Sequence, residues 1–530
     1  MNTIWNVWMS ALILLPLAGG VAFLFLPFLK QKRVGNVWLC AVLVLETVLA
    51  AGFVFKLSQQ FELGTSPSFL LLQVSDDSKL LKNEVNGLSF TLKADGLSRL
   101  FLLLFSGMWL CAGLYSLEYM EHEKQTARFY GFFLMTLSSL IGIALSANML
   151  TLYLFYEGMT LLSLPLVLHN QTPEAKKAGL KYLFYSVAGA FLALGGMMLV
   201  YYGGELSLDF INKGRYYAIS CPVGEDTSLA VGRQGAAILI GSFLMIVGFG
   251  TKAGMFPMQS WLPTAHPVAP APASAVLSGV ITKTGVLAVI RLIYNIVGIR
   301  MIFGSWVQFA WLALAMITVF LGSMLAYKEQ NLKKRLAFST VSQVSYIMFG
   351  LATLNWWGVL GALLHVIFHS MVKNTLFFSA GSIIHHTGKT KVEELTGIGK
   401  EMPVTLWCFT LVGITLVGIP PTSAFISKWF LAKGALNYTG KFSLFPAIFS
   451  YGGPIVLLLS ALLTAGYLVT ISMRGFLPGA EFDYASVKKR EAGWRMLAPM
   501  LVLTTGAVLL GIYVQPLLGF LEQLILMELI

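Results

Sequence analysis

Charge is scarce in this sequence. Asp, Glu, Lys and Arg together make up 11% of its 530 residues, against roughly 25% in an ordinary water-soluble protein. A chain of this length cannot clothe a soluble surface with so few charges, so the first class excluded is the soluble globular enzyme. Cysteine is rare too: Cys40, Cys111, Cys221 and Cys408 stand far apart, three of them inside apolar runs, and no CxxC occurs. Iron–sulfur or zinc ligation by this chain alone is therefore not expected. No GxGxxG or GxxxxGK[ST] element sits between a strand and a helix, which leaves nucleotide binding without support. The net charge of +12 resides in short loops rather than on one face of a soluble domain, so nucleic acid is not an expected partner.

Apolar residues dominate instead, at 57% of the chain with a mean hydropathy of +0.76. Runs of about 20 apolar residues, enough to cross a hydrocarbon core, recur almost to the end. The expected fold is all-α and integral to a membrane, with about fourteen crossings. The windows are 4–29, 35–57, 96–117, 128–147, 149–168, 177–202, 234–264, 272–298, 304–327, 335–353, 357–386, 404–435, 452–476 and 492–527. The first run lacks a basic leader and a small-residue cleavage site, so it reads as a retained helix. Between Gln59 and Asp95 lies a polar connection in which Val74–Ser78 and Asn83–Gly87 carry turn chemistry beside the β-capable run Leu88–Leu92. A small surface hairpin is expected there, and Asp95 before Gly96 is placed to cap the next helix.

Basic residues cluster after alternate windows, for example Lys30, Lys32 and Arg33, then Lys176 and Lys177, then Lys333, Lys334 and Arg335, then Lys488, Lys489 and Arg490. By the positive-inside rule these loops face the cytoplasm of a cell-membrane protein and both termini lie outside. Two windows are broken by proline and glycine: Gly248–Pro257, with Pro263, Pro267, Pro270 and Pro272 following, and Gly418–Lys428 around Pro420 and Pro421. Broken helices persist in lipid only where protein or water satisfies the freed backbone groups, and a matched pair marks internal repeats around a transport site. The implied divisions are N-terminal helices within 1–127, a first five-helix repeat 128–298, an inverted second repeat 304–476 and a C-terminal helix 477–530.

An ionisable side chain at bilayer depth costs several kcal/mol unless it is paired or hydrated, and so is a functional candidate. Glu157 stands in an apolar helix, Lys252 at the first break, Lys283 in a helix without other charge until Arg291, and Lys428 at the second break. His365, His369 and Lys373 are spaced four apart, which puts them on one helical stripe. The plainer alternatives are a backbone-bonding carboxylate at Glu157, snorkelling to an interface at Lys252 and Lys428, and polar glue at Lys283. A histidine pair ending in lysine favours a proton relay. Lys181 and His266 are accessory candidates, the former close enough to the basic loop to snorkel, the latter placed among prolines where it caps the break or admits protons. His385 and His386 sit at a helix end, where the helix dipole accounts for them.

The segments Phe155–Gly158, Lys252–Pro267, Ala271–Ala275 and Lys283–Val286 closely resemble the antiporter-like subunits of respiratory complex I, of Mrp-type Na⁺/H⁺ antiporters and of membrane-bound group 4 hydrogenases, and the resemblance extends from about Asp95 to Lys428. It implies fourteen helices with two inverted five-helix repeats. It also implies a charge switch formed by Glu157 with Lys252, then a line through Lys283, His365, His369 and Lys373 to Lys428, a position where some members carry glutamate. The implied function is ion translocation, of protons first and Na⁺ second, within a complex I-like or hydrogenase-like assembly; an Mrp-type antiporter without redox chemistry is the alternative. The lateral line of charges argues against a solute transporter acting alone. The partners implied are the lipid bilayer and other membrane subunits, including further antiporter-like ones. No cofactor or metal is expected in this chain; any iron–sulfur, flavin or nickel–iron centres would belong to partner subunits. The chain ends after its fourteenth window, where the largest complex I type continues into a lateral helix, so it resembles the shorter types.

Overall fold

Lipid forces every backbone amide to find its partner within the chain, so apolar runs of this length become helices. The structure, a computed structural model, describes residues 2–61, 68–73, 89–217, 232–437, 445–479, 482–484 and 487–530. The N-terminal helices are α1 (Asn2–Phe25), α2 (Lys32–Phe61) and α3 (Gly96–Tyr119). Then come α4 (Thr126–Ala144), α5 (Met149–Val167), α6 (Pro173–Met198), α7 (Gly232–Ala253), the short α8 (Leu262–Val268) and α9, continuous from Ala271 to Val297 with two π-helical stretches. Helices α10 (Trp306–Lys328), α11 (Leu332–Ala352) and α12 (Trp356–Thr387) follow. The chain closes with α13 (Pro403–Val417), α14 (Ser423–Leu436), α15 (Phe445–Phe476), α16 (Trp494–Ile512) and α17 (Gln515–Leu524).

Each of the fourteen windows holds a helix, but twelve helices among the described residues are long and apolar enough to cross a membrane. The other two windows fall short for different reasons. Helix α11 carries too many serines, threonines and basic residues, and window 404–435 divides into α13 and α14 at the Gly418–Thr422 turn. Two windows are shorter than expected. Window 234–264 ends as a helix at Ala253, where the proline-rich segment takes over; window 492–527 ends at Ile512, and the chain restarts as the separate helix α17 behind Pro516. Proline is tolerated in a first turn because its missing N–H had no helical partner there.

Both breaks end their first half in the same way. Gly254 has φ +73° and Gly418 has φ +89°, the left-handed conformation that stops a helix and that glycine adopts without a Cβ penalty. A cis peptide follows in each, at Phe256–Pro257 and Pro420–Pro421.

Helix α9 is buried along its whole length and α12 along most of it, whereas α1, α2, α15 and α16 turn exposed leucine, valine and isoleucine outward. The bundle thus has a central pair inside a ring that meets lipid or neighbours. That centre places Lys283, His365, His369 and Lys373 on the two most enclosed helices.

The hairpin expected on the N-terminal side forms: β1 (Ser68–Gln73) pairs antiparallel with β2 (Ser89–Lys93), Ser68 opposite Lys93. Its turn chemistry between Val74 and Gly87 lies outside the described residues. Asp95 caps α3, accepting from the Ser98 amide at 2.9 Å. It also forms a buried two-pronged ion pair with Arg291 of α9, with both N–O distances 2.7 Å. Glu528, just past α17, accepts from the Gly96 and Leu97 amides at 2.5 and 3.2 Å. One corner of the fold is therefore tied by charge from three distant stretches of the chain.

Candidate functional site

Two groups of polar side chains lie inside the bundle, one at each break. The first is built around Lys252, in the last turn of α7 and fully buried. Its Nζ donates to the Tyr182 hydroxyl at 2.7 Å and the Ser186 hydroxyl at 2.8 Å, both on α6. The ammonium also lies 4.0 Å from the centre of the Tyr182 ring and 5.6 Å from that of Trp261, a cation–π cage. Tyr182 in turn meets Ser163 of α5 at 2.7 Å, the helix that carries Glu157. Lys252 does not snorkel; its position at a helix C-terminus, with hydroxyls and aromatic faces around it, suits a positive charge.

Glu157 lies within electrostatic reach of Lys252, but the two make no ion pair within 4.0 Å, and the Oε1 of Glu157 is buried without a hydrogen-bond partner. The backbone-bonding alternative for Glu157 finds no support at that atom. The switch pair is brought together in an open state.

The second group runs along α9, α12 and α14. Lys283 Nζ donates to the Ser278 carbonyl at 2.7 Å and lies 2.6 Å from Nδ1 of His369. Ser278 belongs to the π-helical turn Leu277–Ile281, the kind of local unwinding that frees a carbonyl within a helix. The His369 and His365 rings are 5.9 Å apart, and His365 Nδ1 meets the Ser427 hydroxyl at 2.9 Å. Ser427 itself donates to the Ala424 carbonyl at 3.0 Å, so it accepts from His365. Next along α14, Lys428 donates to the Leu416 and Val417 carbonyls at 2.7 and 3.0 Å and lies 5.0 Å from the Tyr346 ring, on which His365 also stacks. These carbonyls are the ones left free where α13 ends.

Nε2 of both His365 and His369 is buried with no partner. Buried polar atoms of this kind call for water, and here they sit where a line from Lys283 to Lys428 needs it.

Not every expected member joins the line. Lys373 shares the α12 stripe but bends away, bonding to the Leu336 carbonyl at 3.1 Å and to the Ser339 hydroxyl, both on α11. The long side chain takes the nearest exposed carbonyl, which lies toward the basic-loop face, so Lys373 is a branch. Lys181 donates to Thr264 of α8 at 3.2 Å, one residue along from Tyr182 but outside the cage. His266 is fully buried and stacked on Phe377, with neither ring nitrogen bonded; the link that holds its loop is its backbone carbonyl, which accepts from Ser274 at 2.9 Å. Between the two groups Gly285 packs against Phe249 and Lys252, while the hydrogen bonds of Lys252 and Lys283 point to opposite sides.

Sequence reasoning missed the cage hydroxyls, Ser427 and Tyr346, because serine and tyrosine in apolar helices give no charge signal. It also passed over Glu46, in the middle of α2: fully buried, with both carboxyl oxygens lacking a partner.

Known proteins carry the same framework. Residues 146–452, more than half of the chain, match the family model for the transmembrane portion of NADH:quinone oxidoreductase and Mrp antiporters. The chain belongs to that family. Residues 84–130 match the N-terminal model of complex I chain 5. The chain is 31% identical over 433 residues to NADH-quinone oxidoreductase subunit N of Desulforudis audaxviator, covering 79% of this chain and 81% of that one. It is 32% identical over 442 residues to hydrogenase-4 component B of Escherichia coli, covering 80% of this chain and 62% of that one. It is also 29% identical to a Na⁺/H⁺ antiporter protein of Alkalihalophilus pseudofirmus, covering 81% of this chain and 53% of that one. In fold it matches a chain of the archaeal membrane-bound sulfane sulfur reductase at a TM-score of 0.76 and 22% identity, over 97% of this chain and 96% of that one. It matches a chain of the Mrp complex from Dietzia at 0.77 and 21% identity, with the same two coverages. This is an antiporter-like subunit of the kind found in complex I, group 4 hydrogenase and Mrp-type assemblies, and a multi-pass membrane protein.

Proposed function

We propose that this antiporter-like subunit moves protons through the bundle along Glu157, Lys252, Lys283, His369, His365 and Lys428, with Lys373 branching toward the basic-loop face. The observation that carries the reading is the near-continuous contact from Lys283 through both histidines to Ser427 and Lys428, on buried helices. Bound water at the open Nε2 atoms completes it.

In this scheme the open Glu157–Lys252 pair is the input. Closing two opposite charges to about 4 Å at an effective dielectric near 20 is worth about 4 kcal/mol. Burial opposes the ammonium while the carboxylate favours it, so approach of Glu157 holds the proton on Lys252 and retreat drives it toward Lys283. A neighbouring subunit that moves α5 would thus couple its own chemistry to proton release. Helices α4–α9 and α10–α15 form the two inverted repeats, α11 and the broken α13–α14 pair supply the thirteenth and fourteenth crossings, and the basic loops face the cytoplasm. Lys181 and His266 line the approach to Lys252 from that face.

The assembly is a redox-driven complex whose flavin, iron–sulfur or nickel–iron centres belong to other subunits; the alternative is an Mrp-type exchanger moving Na⁺ against protons. Subunits that co-purify with the native complex separate the two. In proteoliposomes holding the assembled complex, Lys252→Ala and Glu157→Ala abolish coupled translocation while assembly persists; normal pumping by well-assembled Lys252→Ala refutes the scheme.

A further inference from the structure

The start of α2 meets the end of α3, the start of α4 and the start of α16 around a cleft of about 720 Å³, within the range of roughly 300–1,000 Å³ typical of ligand pockets. Its rim carries Lys32, Arg33 and Arg495 with a single carboxylate, Glu121; its wall along α2 is Val37, Cys40, Ala41 and Val44. These α2 positions recur at three- and four-residue intervals, so they line one continuous groove. Lys32 turns its ammonium to the Glu121 backbone carbonyl at 2.5 Å, which keeps it at the rim.

From Lys32 to Val44 the helix rises about 18 Å, close to one leaflet of a hydrocarbon core about 30 Å thick. The cleft is therefore cationic at the level of the headgroups and apolar for the depth of one leaflet below. Val37 and Val44 are 69% and 48% exposed, so the groove opens to the surrounding lipid. It lies on the basic-loop face and takes no part in the translocation line.

We propose that this cleft holds one anionic glycerophospholipid, its phosphate among Lys32, Arg33 and Arg495 and an acyl chain along Val37, Ala41 and Val44. Three cations against one carboxylate select a negative headgroup, and a groove one leaflet deep selects a lipid over a free phosphate or a soluble anion. Basic pockets between membrane helices on the cytoplasmic side are a known setting for such headgroups.

The test uses the intact complex in phosphatidylcholine nanodiscs doped with phosphatidylglycerol that carries a photoactivatable acyl chain. The expected result is cross-linking to the peptides around residues 32–44 and 117–121, well above that of the matching phosphatidylcholine probe. Each of Lys32→Gln, Arg33→Gln and Arg495→Gln lowers it by about fivefold. Ala41→Trp, which fills the groove and leaves the rim intact, abolishes cross-linking along α2. Equal labelling by both probes, or labelling unchanged in the rim and groove variants, overturns the proposal. So does cross-linking from Cys40 to a helix of another subunit lodged in the cleft.

Discussion

The two breaks use the same device with different partners. At the first, Lys252 is fully enclosed and bonds only to side-chain hydroxyls of α6, beneath aromatic faces from α6 and from the turn that leads into α8; at the second, Lys428 is half-buried and bonds to the backbone carbonyls at the end of α13. Side chains can be withdrawn when helices shift, whereas carbonyls at a helix end stay where the backbone puts them. Lys252 also has a carboxylate on a neighbouring helix within electrostatic reach, and among the described residues no carboxylate forms an ion pair with Lys428. The first break has the makings of a switch and the second those of a fixed station.

That contrast breaks most readily at the cage. Tyr182→Phe with Ser186→Ala removes both hydroxyls bonded to Lys252, and hydrogen bonds to a charged group are worth about 1.5–3 kcal/mol each. The double variant is expected to lose coupled transport almost completely, read as proton flux in proteoliposomes. If it pumps normally, the two lysines do not differ as described.

The next largest effect is on stability. Arg291→Met strands Asp95 without its ion pair, and breaking a buried pair costs about 3–5 kcal/mol; thermal stability and assembly of the complex should fall together. Cage variants that leave assembly intact are then site effects and not fold damage, which sharpens the comparison. Smaller still, Ser427→Ala removes one partner of His365, worth about 1 kcal/mol, and should slow transport several-fold without abolishing it.

The smallest effect is a pH dependence far from both breaks. Burial, then the Asp95 carboxylate, raise the Glu528 carboxyl above the ordinary range, against the opposing charge of Arg291. A raised acid stabilises below its unfolded value and loses that contribution as pH rises through its folded one. Hydrogen exchange at Gly96 and Leu97 should therefore quicken, beyond the intrinsic rate, as pH rises above the usual carboxylate range, with both lysine sites unaffected.

The spans were legible because lipid imposes a length and a composition, and the breaks because proline and glycine interrupt them. Each ionisable residue at depth announced itself through its cost. What the sequence hid was direction. Periodicity put Lys373 on the stripe with His369, but a four-carbon side chain can turn to another helix, and it chose Ser339. The cage was invisible for a related reason: Tyr182 and Ser186 are as ordinary in an apolar helix as any of its other residues until a lysine from α7 meets them. Glu46 carries the same signal as Glu157, a carboxylate in an apolar run, but it lies ahead of the first break and outside the line. The buried Arg291 pair joins residues almost two hundred positions apart, which no local pattern specifies.

The central claim is that protons cross the bundle through its buried histidines, and His369→Leu tests it most directly, since it severs the contact between Lys283 and His365 while both lysine sites remain. In proteoliposomes of the assembled complex, proton translocation should fall to background with the partner chemistry still running. Undiminished translocation by a fully assembled His369→Leu complex would contradict it.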